Sequence, residues 1–281
     1  MKIIDAHVHF SQGHAFKETA LHLSNVDYSS EGYKKETKEN NVVHTICMGI
    51  KGDPQGQLPD YEAENPMIAE LEDPLPSSMS LFLGINPLTL NSHAIERMDG
   101  LIKSNPHIKG IKIYAGYYHV MVHDPVYDPV YDLAEKYSLT VAIHSGDTYS
   151  ERGLLKYSQP LDVDELAVKR RDMKIIICHM GTPWVFDAAE VTFKNQNVYL
   201  DISGLLVGNA AYAERMGNEE LLLNRYRSAL VFLDSYHKVL YGSDWPLTPM
   251  APYINFCKKL IPEEFHQRVF YENASELFGL N

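Results

Sequence analysis

The chain has 281 residues, of which 45% are hydrophobic and 22% charged, the usage of an ordinary globular protein and not of a disordered, collagen-like or coiled-coil one. Lys and Arg total 25 against 37 Asp and Glu, a formal net charge of −12, which repels phosphate backbones and anionic membrane surfaces. Neither nucleic acid nor a membrane is an expected partner.

Short, β-branched apolar runs recur eight times, at Ile3 to Phe10, Val42 to Ile50, Ser80 to Pro87, Ile108 to Gly116, Thr140 to Gly146, Lys174 to Gly181, Val198 to Gly204 and Val239 to Pro246. Between them lie amphipathic helix patterns at Ser29 to Asn40, Ser92 to Ser104, Pro125 to Tyr137, Asp162 to Asp172, Pro183 to Asn195 and Asn218 to Tyr236. Asp162 reads as an N-cap and Pro183 as a helix start. Eight strand-helix units favour a closed barrel, because the last strand can then pair with the first and leave no edge. The expected fold is α/β, a (β/α)8 TIM barrel, with residues 1–281 forming a single domain.

Alternation along the strands predicts which side chains enter the barrel. With His7 inward, Ile3, Asp5 and His9 follow it; on other strands Gly110 lies below Lys112, Ala142 below His144, Ile177 below His179, and Gly242 below Asp244. Three connections after strands are long, Ser11 to Tyr28, Lys51 to Ser78 and Ser145 to Pro160. They belong to the C-terminal face, where barrel enzymes build their sites.

Thirteen histidines raise the question of metal. In Asp5-Ala6-His7-Val8-His9 the spacing by two puts both imidazoles on one face, within reach of one ion at about 2.0 to 2.1 Å. His144, His179 and Asp244 each close a strand at the last inward position. Such a gathering of ionisable groups is costly to desolvate unless a cation compensates it. Ligation by His7, His9, His144 and Asp244 leaves room for water, and donors without thiolate suit zinc best, with iron, manganese or nickel also compatible. Cys47, Cys178 and Cys257 are expected as free, buried thiols. The N-terminal stretch lacks the apolar run and cleavage site of a signal peptide, so the expected compartment is the cytoplasm. Neither the G-x-S-x-G elbow of serine hydrolases nor a phosphate-cradling G-x-x-x-x-G-K occurs.

The set His7-x-His9, His144, His179-Met180-Gly181 and Gly242-Ser243-Asp244-Trp245-Pro246 resembles the amidohydrolase superfamily, in its amidohydrolase-related (amidohydrolase 2) branch of metal-dependent TIM-barrel hydrolases. Asn197 to Gly204 and Asn273 to Leu280 are similar to that branch as well. The resemblance implies His7, His9 and His144 as metal ligands and Asp244 as a ligand that also handles a proton. His179 is implied as acid/base in one-metal members and as a ligand to a second ion in two-metal members. Lys112 matches the strand-four lysine that is carboxylated and bridges both ions in two-metal relatives; a charged Lys112 would instead hold an anionic substrate. One ion is favoured, and two are compatible with the motifs.

Among the remaining residues, Asp5 reads as orienting a ligand histidine or pairing with a barrel lysine, Asp201 and Ser203 as interior hydrogen-bonding groups, Tyr114, Trp184 and Trp245 as pocket lining or packing, and Arg152 as the loop residue suited to a substrate carboxylate. The leading expectation is a hydrolase in which a metal-bound hydroxide attacks an amide, ester or lactone carbonyl of a small carboxylated substrate. The alternative is a metal-dependent non-oxidative decarboxylase, a lyase, of an aromatic or dienoic acid. A non-catalytic metal-binding barrel ranks below both. Oligomeric state is not readable from the sequence.

Overall fold

The computed structural model describes residues 1–10, 14–49 and 77–280. Most of the long connection after the second strand, and Ile50, lie outside these. Eight parallel strands run in sequence order around a barrel: β1 (Ile3–Val8), β2 (Val42–Met48), β3 (Met79–Ile85), β4 (Ile108–Ile113), β5 (Thr140–Ile143), β6 (Ile175–Ile177), β7 (Val198–Asp201) and β8 (Val239–Leu240). The seam between β8 and β1 is closed by backbone bonds from Ala6 N–H to Tyr241 O (2.9 Å), Asp244 N–H to His7 O (2.8 Å) and His9 N–H to Trp245 O (2.7 Å). The expected TIM barrel is the observed one.

The helices are α1 (His14–Thr19), α2 (Ser30–Glu39), α3 (Ser92–Ser104), α4 (Asp128–Lys136), α5 (Pro160–Lys169), α6 (Val185–Lys194), α7 (Ala210–Met216), α8 (Glu220–Leu233), α9 (Met250–Leu260) and α10 (Asn273–Phe278). Their starts follow local chemistry. Ser29 accepts from Gly32 N–H and Asn91 from Ala94 N–H, each satisfying a backbone donor that the first turn leaves unpaired. Asp162 is not the cap of α5: Pro160, with its fixed φ, opens that helix two residues earlier, and Asp162 falls in its first turn. Pro183 likewise precedes α6 instead of starting it. No helix among the described residues is long and apolar enough to cross a membrane.

Two apolar layers hold the barrel. The larger lies between strands and helices and contains Val8, Ile111, Ile113, Val141, Ile143, Ile175 and Ile177. The smaller contains Ile4, Ala6, Ile46, Met48, Phe82, Ala142, Ile176, Cys178 and Leu240, together with Ala274, Leu277 and Phe278 of α10. Phe82 and Phe278 meet edge to face at 5.7 Å, so the last helix stoppers the N-terminal end of the barrel. Burying each such large apolar side chain contributes roughly 1.5 to 3 kcal/mol.

Two parity expectations are corrected. On β1, Asp5 pairs with Thr45 but Val8 with Cys47, three steps against two, so a bulge resets the alternation just where the histidines begin. Ile4 and Ala6 therefore enter the barrel, while Ile3 joins the helix-facing layer. On β6, Ile176 and Cys178 are interior and Ile177 is not. Gly110, Ala142 and Gly242 face inward as expected: a Cβ on Gly110 would strike the Phe82 ring, and one on Gly242 would lie 2.7 Å from His7 Cβ. Trp245 is packing, not lining. Phe10, Tyr28 and Tyr33 surround its ring at 5.2 to 5.5 Å, and its Nε1–H donates to Glu36 Oε1.

Candidate active site

The strand ends bring His7, His9 and Asp244 together at the C-terminal mouth, with one donor atom from each within 4.8 Å of the others. His9 Nε2 lies 3.0 Å and His7 Nε2 3.5 Å from Asp244 Oδ1. A tetrahedral ion with bonds of about 2.0 to 2.1 Å separates its ligands by about 3.3 to 3.4 Å. His7 Nε2 and Asp244 Oδ1 are buried and have no hydrogen-bond partner, an arrangement that is costly unless something else occupies both. The residues present fit a divalent cation.

Hydrogen bonds behind the rings set which nitrogen faces the mouth. His7 Nδ1 is 2.9 Å from Asp201 Oδ2 and His9 Nδ1 is 3.2 Å from the Met48 carbonyl. Both partners can only accept, so each Nδ1 carries the proton and each Nε2 presents a lone pair. His179 Nδ1 approaches the Ser203 carbonyl at 3.2 Å and Ser203 Oγ at 2.9 Å, which leaves its Nε2 unprotonated as well. His144 is held the other way round: its Nε2–H donates to Asp147 O at 2.8 Å.

Electrostatics agree with these tautomers. Burial, reinforced by the nearby Lys112 ammonium, pushes His7 down to about 3, against the opposing pull of Asp201 and Asp244. Burial and the neighbouring His179 and Lys112 hold His144 well below the usual histidine range. Burial lowers His179 too, although Asp244 and Asp201 counteract it. For Asp244, burial opposes ionisation, but His7, His9 and His179 around it outweigh that and hold the carboxyl well below its ordinary value. Asp201 is similarly ionised despite burial, because His7 and further donors stabilise it. Neutral imidazoles beside ionised carboxylates are the forms that bind a cation.

Two site residues have left-handed backbones, His179 at φ 59° and Asp244 at φ 60°. This conformation costs a non-glycine residue about 1 to 3 kcal/mol. It turns His179 into the mouth even though the preceding residue, Cys178, is the interior one, and it brings Asp244 Oδ2 to 3.8 Å from His179 Nδ1. Gly204, at φ 61°, passes so close that a Cβ there would lie 2.5 Å from Asp244 Oδ2 and 2.8 Å from His179 Nδ1.

A cavity of about 320 Å³ opens over these groups. Its walls include His9, His144, His179, Asp244, Lys112 and Tyr114. Lys112 is fully buried, and its Nζ lies 3.0 Å from Cys178 Sγ. Tyr114 donates its hydroxyl to Gly49 O. His144 stands beside His179, ring centroids 4.8 Å apart, and lies outside the close group of His7, His9 and Asp244. Arg152 is exposed and Trp184 half-buried; neither is among the described residues lining the cavity. Asp5 lies behind the site, where its Oδ1 accepts the backbone N–H groups of His7 and Ser243.

Sequence reasoning did not anticipate the Met48 carbonyl behind His9, the Cys178 contact with Lys112, or the aromatic walls Phe16, Tyr117, Tyr149 and Tyr212. Main-chain acceptors leave no mark in a sequence. Cys178 would have been found by placing β6 one residue out of phase.

No curated protein matches this sequence. Solved structures share the fold along its whole length. A probable 2-pyrone-4,6-dicarboxylic acid hydrolase from Acinetobacter baumannii is 18% identical, with 100% of each chain covered and a TM-score of 0.67. A 5-carboxyvanillate decarboxylase from Sphingomonas paucimobilis is 16% identical, covering 100% of this chain and 99% of its own, at 0.64. An amidohydrolase from Burkholderia multivorans with bound zinc is 14% identical over 100% of both chains, at 0.68. The family model described as Amidohydrolase (amidohydrolase 2) matches residues 94–280, and His7 and His9, outside that span, face Asp244 within it. The chain belongs to this amidohydrolase family and is an enzyme of that kind.

Proposed function

We propose that the protein is a metal-dependent hydrolase acting at the amide, ester or lactone carbonyl of a small carboxylated substrate. The observation that carries this reading is the placement of Asp244, with Oδ1 against His9 Nε2 and His7 Nε2 and Oδ2 3.8 Å from His179 Nδ1. One carboxylate thereby joins the cation-binding group to a neutral histidine on the cavity wall. His7, His9 and Asp244, with His144 as a further donor, would hold a divalent ion, zinc being the favoured metal, and such an ion would supply Lewis acidity at the mouth. Asp244 takes the proton from the attacking water. Asp244, once protonated, delivers that proton to the leaving group, or His179 does so after taking up a proton at its free Nε2, a role of the kind worth about 10² to 10⁴ in rate. Lys112 lines the cavity and receives the substrate carboxylate, with Tyr114 beside it. Arg152 and Trp184 fit a substrate role only through a rearrangement of the loops that carry them.

Asp244→Asn tests the assignment. It should keep most of the metal and lose at least about 10² in kcat; a variant with near-normal turnover refutes it. The aromatic walls Phe16, Tyr114, Tyr117, Tyr149 and Tyr212 favour a second reading, decarboxylation of a flat aromatic or dienoic acid. Turnover in ¹⁸O-labelled water separates the two: hydrolysis places solvent oxygen in the product, whereas decarboxylation releases carbon dioxide and places a solvent proton on carbon.

A further inference from the structure

On the outside of the barrel, three neighbouring helices, α5, α6 and α8, carry apolar side chains on the faces they turn away from the strands. Phe186 and Phe193 stand two turns apart on α6, exposed by 49% and 60%. Leu221 and Phe232 share one stripe of α8, eleven residues apart, and are 82% and 49% exposed, with Val231 beside them at 68%. Leu161 and Val168 repeat the two-turn spacing on α5, at 54% and 45%. Spacings of seven and eleven residues return a helix to nearly the same face.

These stripes adjoin. The Phe186 and Phe232 rings meet edge to face at 6.0 Å. Arg225 on α8 donates to Pro183 O at the entry to α6, while Lys194 and Asn195 at the end of α6 bond Asp164 on α5. At about 200 Å² for a whole phenylalanine and somewhat less for leucine or valine, the seven side chains present on the order of 700 Å² of apolar surface. The largest patch of a typical monomer is roughly 300 to 600 Å². A stable interface uses about 800 Å² from each partner.

We infer that this α5–α6–α8 face is the contact between two copies of the chain related by a twofold axis. The area matches what one side of a standard dimer needs. A twofold contact also requires a surface that complements itself, and the same outward stripes carry Glu165 and Glu190 on α5 and α6 and Arg225 on α8, so each copy offers both signs of charge to the other. The catalytic mouth, at the ends of the strands, is left open by this arrangement.

Sedimentation velocity of the full chain from about 1 to 100 µM tests the inference. Twice the monomer mass is expected. The double substitution Phe193→Asp with Phe232→Asp should weaken association at least 100-fold with unchanged far-ultraviolet circular dichroism, whereas Leu101→Asp, an exposed apolar position on α3, should leave it intact. If the double variant fails to fold, Val231→Asp alone gives the same test. A monomer across the whole concentration range, or a dimer that the substitutions on α6 and α8 do not weaken, overturns the assignment.

Discussion

Replacing Asp201 by asparagine changes one atom in a fully buried group and should be read at the metal. Asp201 Oδ1 accepts from the backbone N–H groups of His179 (2.8 Å) and Ser203 (3.1 Å) and from Ser203 Oγ–H, while Oδ2 accepts from His7 Nδ1–H at 2.9 Å. In the variant the amide oxygen must keep the three donors at Oδ1, so the amide nitrogen takes the place of Oδ2. Two N–H groups then face each other. His7 relieves the conflict by moving its proton to Nε2, which withdraws the lone pair that faces Asp244 and His9. Loss of such an orienting partner weakens metal binding about 10- to 100-fold, roughly 1.4 to 2.7 kcal/mol. Removing a hydrogen bond to a charged acceptor costs about 1.5 to 3 kcal/mol of folding stability, a fall in melting temperature of roughly 3 to 5 °C for a chain of this length. Competition against a chromophoric chelator measures the first, calorimetry the second, and ¹⁵N spectra of labelled histidine report the tautomer directly. Affinity within about threefold of wild type, with Nδ1 of His7 still protonated, would refute the reasoning.

Gly204→Ala should cost at least tenfold in kcat/KM by steady-state kinetics, because its methyl group meets Asp244 Oδ2 and His179 Nδ1 at contact distances no real Cβ adopts. His44, on β2 and away from the site, is lowered to about 4 by burial and then by the positive charges of His107 and Lys109. The unfolded chain therefore takes up that proton first, and stability is lost as pH falls from about 6.5 through 4, by at most about 3 kcal/mol. His44→Gln should flatten this acid limb in urea titrations at pH 4.5 and leave pH 7.5 unchanged. Glu36 accepts Trp245 Nε1–H at 3.1 Å and Met250 N–H at 2.7 Å, so Glu36→Gln turns an amide N–H toward one of these donors and should cost about 1 to 3 kcal/mol by thermal denaturation. Dialysis against a chelator should abolish turnover and a divalent ion should restore it; full activity in rigorously metal-free enzyme would refute the metal assignment.

The barrel was legible because each strand is a β-branched run that ends in a turn, and because His7, His9, His144, His179 and Asp244 fall where those runs stop. What escaped were features that no side chain encodes. The bulge on β1 shifts two alternation patterns against each other without any change in residue type. Left-handed backbone at His179 and Asp244 is set by the loops they enter, and alternation cannot anticipate it. The helices α7, α9 and α10 follow the last patterns read from the sequence or lie inside the loops that join them, and were not distinguished from those loops. Asp201 was placed inside the barrel, yet its bond to His7 joins residues 194 positions apart.

The left-handed turns at His179 and Asp244 bear on how such a centre could be transplanted or evolved. Side chains alone do not carry it. A recipient barrel given the same five residues on ordinary strand termini would aim its histidine and carboxylate elsewhere. The heritable unit is therefore the strand tip together with the few residues that bend after it, including the glycine that slips between them.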